Sequence, residues 1–135
     1  SHRDGVVTMT EQLVHEYAHA ELFVLGQDEP LCLNTDEERH SISIRSDPRP
    51  MNGILHSLWV VARVTELIKR ILATDLRPYP DHDSLQKGYR KSLARNLDFG
   101  RSSLQAVHHH ARLTPLGEAI VDLAVERLAV ATSQP

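Results

Sequence analysis

Residues 52–73 read NGILHSLWVVARVTELIKRILA, and this run decides the fold. Its apolar side chains, among them Ile54, Leu55, Leu58, Trp59, Val61, Ala62, Val64, Leu67, Ile68, Ile71 and Leu72, recur at helical spacing but wrap more than one face. A helix that is apolar on several sides must be covered on several sides, so this segment is expected at the centre, with other helices packed around it. Directly before it, Asp47-Pro48-Arg49-Pro50 cannot be helical and forms a stiff, extended lead.

Working outward, Thr8 or Thr10 is placed to cap a first helix that runs to about Leu25, where Gly26 stops it. Leu31-Cys32-Leu33 and Ser41-Ile42-Ser43-Ile44-Arg45 are short strand-like runs with a polar turn between them, which predicts a small β-hairpin. Downstream, a third helix is expected over residues 84–97, broken by Gly100, and a fourth from Ser102 or Ser103 toward Arg112. In the last helix Thr114 acts as cap and Pro115 is the first helical residue. The reading is a mainly α, compact helical domain with one small hairpin, spanning residues 1–135 as a single unit.

The first helix carries His15-Glu16-Tyr17-Ala18-His19, an HExxH pentapeptide. One helical turn separates the two histidines, so both imidazoles leave the same face and can grip one divalent metal, with Glu16 beside it to orient or deprotonate a water. Two imidazoles hold a metal poorly, so a third protein ligand is needed. No histidine follows at the short spacing of about six residues beyond His19, which leaves a ligand from a second, packed helix. His56, in the first turn of the central helix, suits this role. Glu66 is the fallback, but it lies ten residues from His56, about 15 Å along the axis, so the two cannot share one ion.

Other features are weaker. His108-His109-His110 points in three directions on a helix and reads as a solvated face. Tyr17 is a packing residue or a hydroxyl beside the site. Lys87, Arg90, Lys91 and Arg95 form a basic face, either solvated or suited to an acidic leader peptide. The formal charge of −3 argues against a general nucleic-acid binder. A single cysteine, Cys32, excludes a disulfide within the chain and favours a reducing compartment. No run is long enough to span a membrane, and the expected location is the cytoplasm.

Three segments in order, Leu13-Val14-His15-Glu16-Tyr17-Ala18-His19, Arg45-Ser46-Asp47-Pro48-Arg49-Pro50 and Gly53-Ile54-Leu55-His56, resemble the HExxH-domain proteins of bacterial peptide-modification clusters. Leu113-Thr114-Pro115-Leu116-Gly117 resembles the C-terminal pattern of that family. The resemblance implies an iron(II)- and 2-oxoglutarate-dependent β-hydroxylase of a ribosomally made peptide. His15, His19 and His56 would then be metal ligands, Glu16 a neighbour holding a water, and Arg49 or Arg45 the clamp on the far carboxylate of 2-oxoglutarate. For Arg49, a surface pair with Asp47 is the competing role. Family members carry a long region before the pentapeptide, whereas fourteen residues precede it here. The readings open here are a minimal stand-alone version, a homo-oligomer or partner chain supplying that region, or a piece cut to its metal domain, with a peptide as the expected substrate.

Two other classes stay open at the level of the residues. In a zinc hydrolase the same histidines bind zinc and Glu16 is the general base. In a non-catalytic binding module the histidines would be tied up by neighbouring carboxylates.

Overall fold

The computed structural model describes residues 2–133. In chain order these form α1 (His2–Leu25), β1 (Arg39–Ile42), β2 (Arg45–Pro50), α2 (Met51–Ala73), α3 (His82–His110) and α4 (Pro115–Ser133). The architecture is mainly helical with one two-stranded antiparallel hairpin.

Helix α2 is the axis of the molecule, and α1, α3 and α4 all pack on it. Met51, Leu55, Leu58, Ala62 and Ile68 are fully buried, and Trp59 almost so. Helix α4 contributes Ile120, Val121, Ala124 and Leu128, and α3 contributes Tyr89, Ala106 and Val107. Truncating a fully buried leucine such as Leu58 to alanine removes contacts worth about 2–5 kcal/mol. Helix α1 is seated more lightly, through Val7, Ala18 and Leu22. One side of it therefore remains free to carry polar chemistry.

Helix α1 begins earlier than the cap reading of Thr8 or Thr10 expects. Thr10 lies inside it: its hydroxyl donates to the Val6 carbonyl one turn back and meets the Tyr89 hydroxyl, both at 2.9 Å. The hairpin is real but displaced. Its strands join through Ser43-Ile44, and the Asp-Pro-Arg-Pro segment is itself β2. The register slips between His40 and Ile42, opposite Arg49 and Arg45, so β2 carries extra residues that include Pro48, which has no N–H to give to a ladder. Leu31-Cys32-Leu33 finds a distant partner instead. Cys32 bridges Leu113, and Leu33 N–H donates to the Arg112 carbonyl at 2.7 Å.

Gly100 does not break a helix; the expected third and fourth helices are one, α3. A Cβ at Gly100 would stand 3.0 Å from Leu128 Cδ1, so the missing side chain lets α4 approach. The glycine serves packing.

Candidate metal cleft between the first two helices

His15 and His19 project from the same side of α1, and their ring centres are 4.7 Å apart in an edge-to-face pose. His56 comes from the facing α2, one turn and a half from its start, with its ring centre 6.2 Å from that of His19. His15 and His19 are exposed, and His56 is half-buried. Burial, and then the neighbouring His19, hold the His56 imidazole below the ordinary histidine value, which favours its neutral, ligating form.

These rings line a solvent-open cleft of about 940 Å³ together with Glu16, Arg45, Arg49, Arg95, Gly53, Ser57, Asn96 and Phe99. His15, Glu16, His19 and His56, singled out for the metal, and Arg45 and Arg49, singled out for the carboxylate, therefore line one space. Glu16 makes no hydrogen bond or ion pair among the described residues.

Whether the donors fit a metal follows from bond lengths. Two imidazoles bound to one ion at about 2.0–2.1 Å stand roughly 4.5–5.3 Å apart, centre to centre. The His15–His19 spacing lies in that range, and the His19–His56 spacing is wider by about 1 Å. Accordingly, no group of three or more histidine, cysteine or carboxylate side chains among the described residues is drawn together tightly enough to enclose an ion. The donor chemistry fits a divalent ion, while His56 stands about 1 Å too far from His19 to share one in this arrangement.

The hairpin delivers the arginines. Arg45 and Arg49 stand on β2 with Asp47 between them, at 3.5 and 3.3 Å from its carboxylate. The surface pairing is thus present, and the guanidinium groups also line the cleft. Such exposed pairs are worth roughly 0–1 kcal/mol, so a bound carboxylate competes with Asp47 at little cost. The adjoining start of α2 has no side-chain cap and no acidic residue in its first turn, which leaves its positive end unopposed. Behind the arginines lies a pocket of about 10 Å³, lined also by His40, Ser57 and Ser103, with room for about one water. The buried Ser103 hydroxyl has no partner there.

Glu66 is not in the cleft. It binds Arg63 at 3.0 Å and lies 3.6 Å from Arg127, part of a separate network with Glu21 and Trp59, so it is not the third ligand. Tyr17 also faces away, its ring centre 5.8 Å from the Arg63 guanidinium. The histidine run divides as its helical phase demands. His109 bonds the Gln105 carbonyl, and His110 stacks on His40 with ring centres 4.1 Å apart.

Arg95 was legible only as one of a basic set. The structure turns it across the cleft to an ion pair with Glu11 at 3.1 Å, closing the wall between α1 and α3. Its signal was helical phase relative to the expected packing face, which a single sequence does not supply.

Comparison with family models, with curated proteins and with solved structures returned no match.

Proposed function

We propose that this chain is a metal-dependent, peptide-modifying oxygenase that uses iron(II) and 2-oxoglutarate. One observation carries the reading: three imidazoles, a free carboxylate and two arginines, contributed by α1, α2 and β2, line the same cleft. His15, His19 and His56 would hold the ion, leaving positions open on the cleft side. Iron(II) bound there supplies the redox chemistry by which dioxygen and 2-oxoglutarate yield succinate, carbon dioxide and a hydroxylated carbon.

The chain's own groups do the rest. Arg49, with Arg45 beside it, turns from Asp47 to take the far carboxylate of the cosubstrate in a charge-assisted fork. Glu16 accepts a hydrogen bond from a water in the cleft and keeps it in place. Val60, Val61, Val64 and Phe99 give the cleft an apolar floor that limits bulk water around the reacting carbon.

The test is anaerobic titration of iron-loaded protein with 2-oxoglutarate, followed by calorimetry and visible absorbance. Saturable binding is expected, and Arg49→Ala should weaken it about tenfold or more without loss of metal. Metal-loaded protein that ignores 2-oxoglutarate rules out the oxygenase.

The free state of Glu16 favours a second reading, a zinc hydrolase. In that enzyme Glu16→Gln abolishes turnover of a cleaved peptide while zinc stays bound. In the oxygenase the same change lowers succinate formation by about 10- to 100-fold through geometry alone.

A further inference from the structure

The histidines have a second side. His56 lines the arginine cleft and also a separate cleft of about 490 Å³ toward the C-terminal end of α1. Helical rows explain this. On α1, His15, His19 and Phe23 follow at steps of four, so Phe23 stands one turn beyond His19 in the same row. On the antiparallel α2, Val60, His56 and Asn52 form the matching row. His56 sits where the two clefts meet, with His19 beside it on the arginine side.

The clefts differ in chemistry. Three arginines line the first. The second is walled by Leu22, Phe23, Pro30, Leu31 and Cys32, with no lysine or arginine among the described residues. Its one charged side chain, Glu29, already accepts the Leu116 N–H at 3.2 Å. Asn34 is likewise fully engaged, with Glu38, the His110 carbonyl and the Arg112 N–H. Gln27 and Asn52 bring amides to the mouth.

The wall is also rigid. The Leu31 carbonyl accepts both the N–H and the hydroxyl of Thr114, each at 3.1 Å, and Leu33 is bonded to Arg112. Yet the Phe23 ring, on the opposite side, is 69% exposed. A preformed apolar wall facing an uncovered aromatic ring leaves apolar area to be gained by a side chain laid between them.

We infer that this second cleft is the specificity pocket for an apolar side chain of the peptide substrate, entering beside the group that reaches the histidines. The inference rests on the metal reading of those histidines, and it holds whether the chemistry is oxygenation or hydrolysis. It divides the site: carboxylate recognition on the arginine side, apolar recognition on the Phe23 side.

Two chelating probes test it on the full chain loaded with zinc: N-acetyl-leucine hydroxamate and N-acetyl-glycine hydroxamate. Their metal-binding groups are identical, and only the isobutyl side chain differs. By calorimetry the leucine compound should bind at least about tenfold tighter. Phe23→Ala, a surface change that leaves the core intact, should remove most of that preference and leave the glycine compound within about twofold. Equal affinities overturn the pocket while leaving the metal site standing, as does a preference that survives Phe23→Ala. Failure of both probes to bind the zinc-loaded protein overturns the metal reading and the pocket together.

Discussion

Polar side chains meet between α1 and α2 in two places, and the two are built on opposite principles. Around Glu21, acceptors and donors are matched. Its carboxylate takes hydrogen bonds from Trp59 Nε1 at 3.0 Å and from the Arg63 guanidinium, Arg63 also reaches Glu66, and Arg127 lies over the Trp59 ring at 4.6 Å. Two carboxylates and two guanidinium groups balance, with Arg127 Nη1 left as the unmatched donor. Hydrogen bonding from Arg63 accordingly holds the Glu21 carboxyl below its usual range. About the histidines nothing is matched. His15 and His56 each stand near His19 with no hydrogen bond between the rings, and the Glu16 carboxylate has no donor among the described residues. The first assembly leaves only Arg127 Nη1 unmatched among its described groups. The second, on the metal reading, would take its partners from a cation.

That contrast is most exposed by His19→Ala. Removing the histidine that touches both others should lower affinity for a divalent metal by more than about 100-fold, read by calorimetry with zinc or iron(II). The metal-free variant should unfold at nearly the same urea concentration as the parent, because the ring is exposed and holds nothing in place. In the parent, metal at 100 times its dissociation constant should add about 2.7 kcal/mol of stability, and in the variant none. Equal metal affinities would erase the distinction between the two assemblies.

The reverse experiment is Arg63→Met. It strands Glu21 beside Trp59 and should cost about 1–3 kcal/mol in urea unfolding of the metal-free protein, with metal affinity within about twofold of the parent. A large loss of metal affinity would show that the matched network positions the histidines, and the two regions would then be one device.

The smallest effect concerns a third, surface cluster of the matched kind. His40, Arg112 and Asn34 hydrogen-bond Glu38, in that order of influence, and lower its carboxyl from the ordinary 4.5 to about 2. A carboxylate held low contributes stability that is fully present above the ordinary value and is lost as pH falls through the folded one. The contribution should therefore fade between about pH 4.5 and pH 2. Glu38→Gln should flatten the unfolding midpoint over that window and leave it unchanged in pH dependence near neutrality. A parent midpoint already flat there would remove Glu38 from the matched class.

Much of this arrangement is local, and the local part is what a single sequence exposes. The HExxH face of α1 needs only the helical period, and α2 announces its central place by apolar residues on several sides. Placing Arg45 and Arg49 near His56 follows from the short proline-stiffened lead into α2. What escaped depends on contacts distant in sequence. Gly100 looks like a break until Leu128 is known to lie against it. Leu31-Cys32-Leu33 looks like half of a hairpin until its partner proves to be residues 112–114. Phe23 continues the histidine row at plain helical spacing, yet its place in a cleft rests on the wall opposite, which no local pattern describes. Glu66 failed as a ligand for the same reason, since Arg127 reaches it from α4.

The bond from Thr114 to the Leu31 carbonyl spans 83 residues of chain. Closing so long a loop is entropically slow, whereas the turns of α1 and α2 form locally. During folding, the imidazole pair on α1 should therefore be in place well before the wall beside Phe23. Once closed, the wall is held by bonds between segments far apart in the chain, so amide exchange at Leu33 and Thr114 should be slow. The histidine end is thus assembled early on a lightly seated helix. The Phe23 end is assembled last, against a wall that the rest of the fold must first put in place.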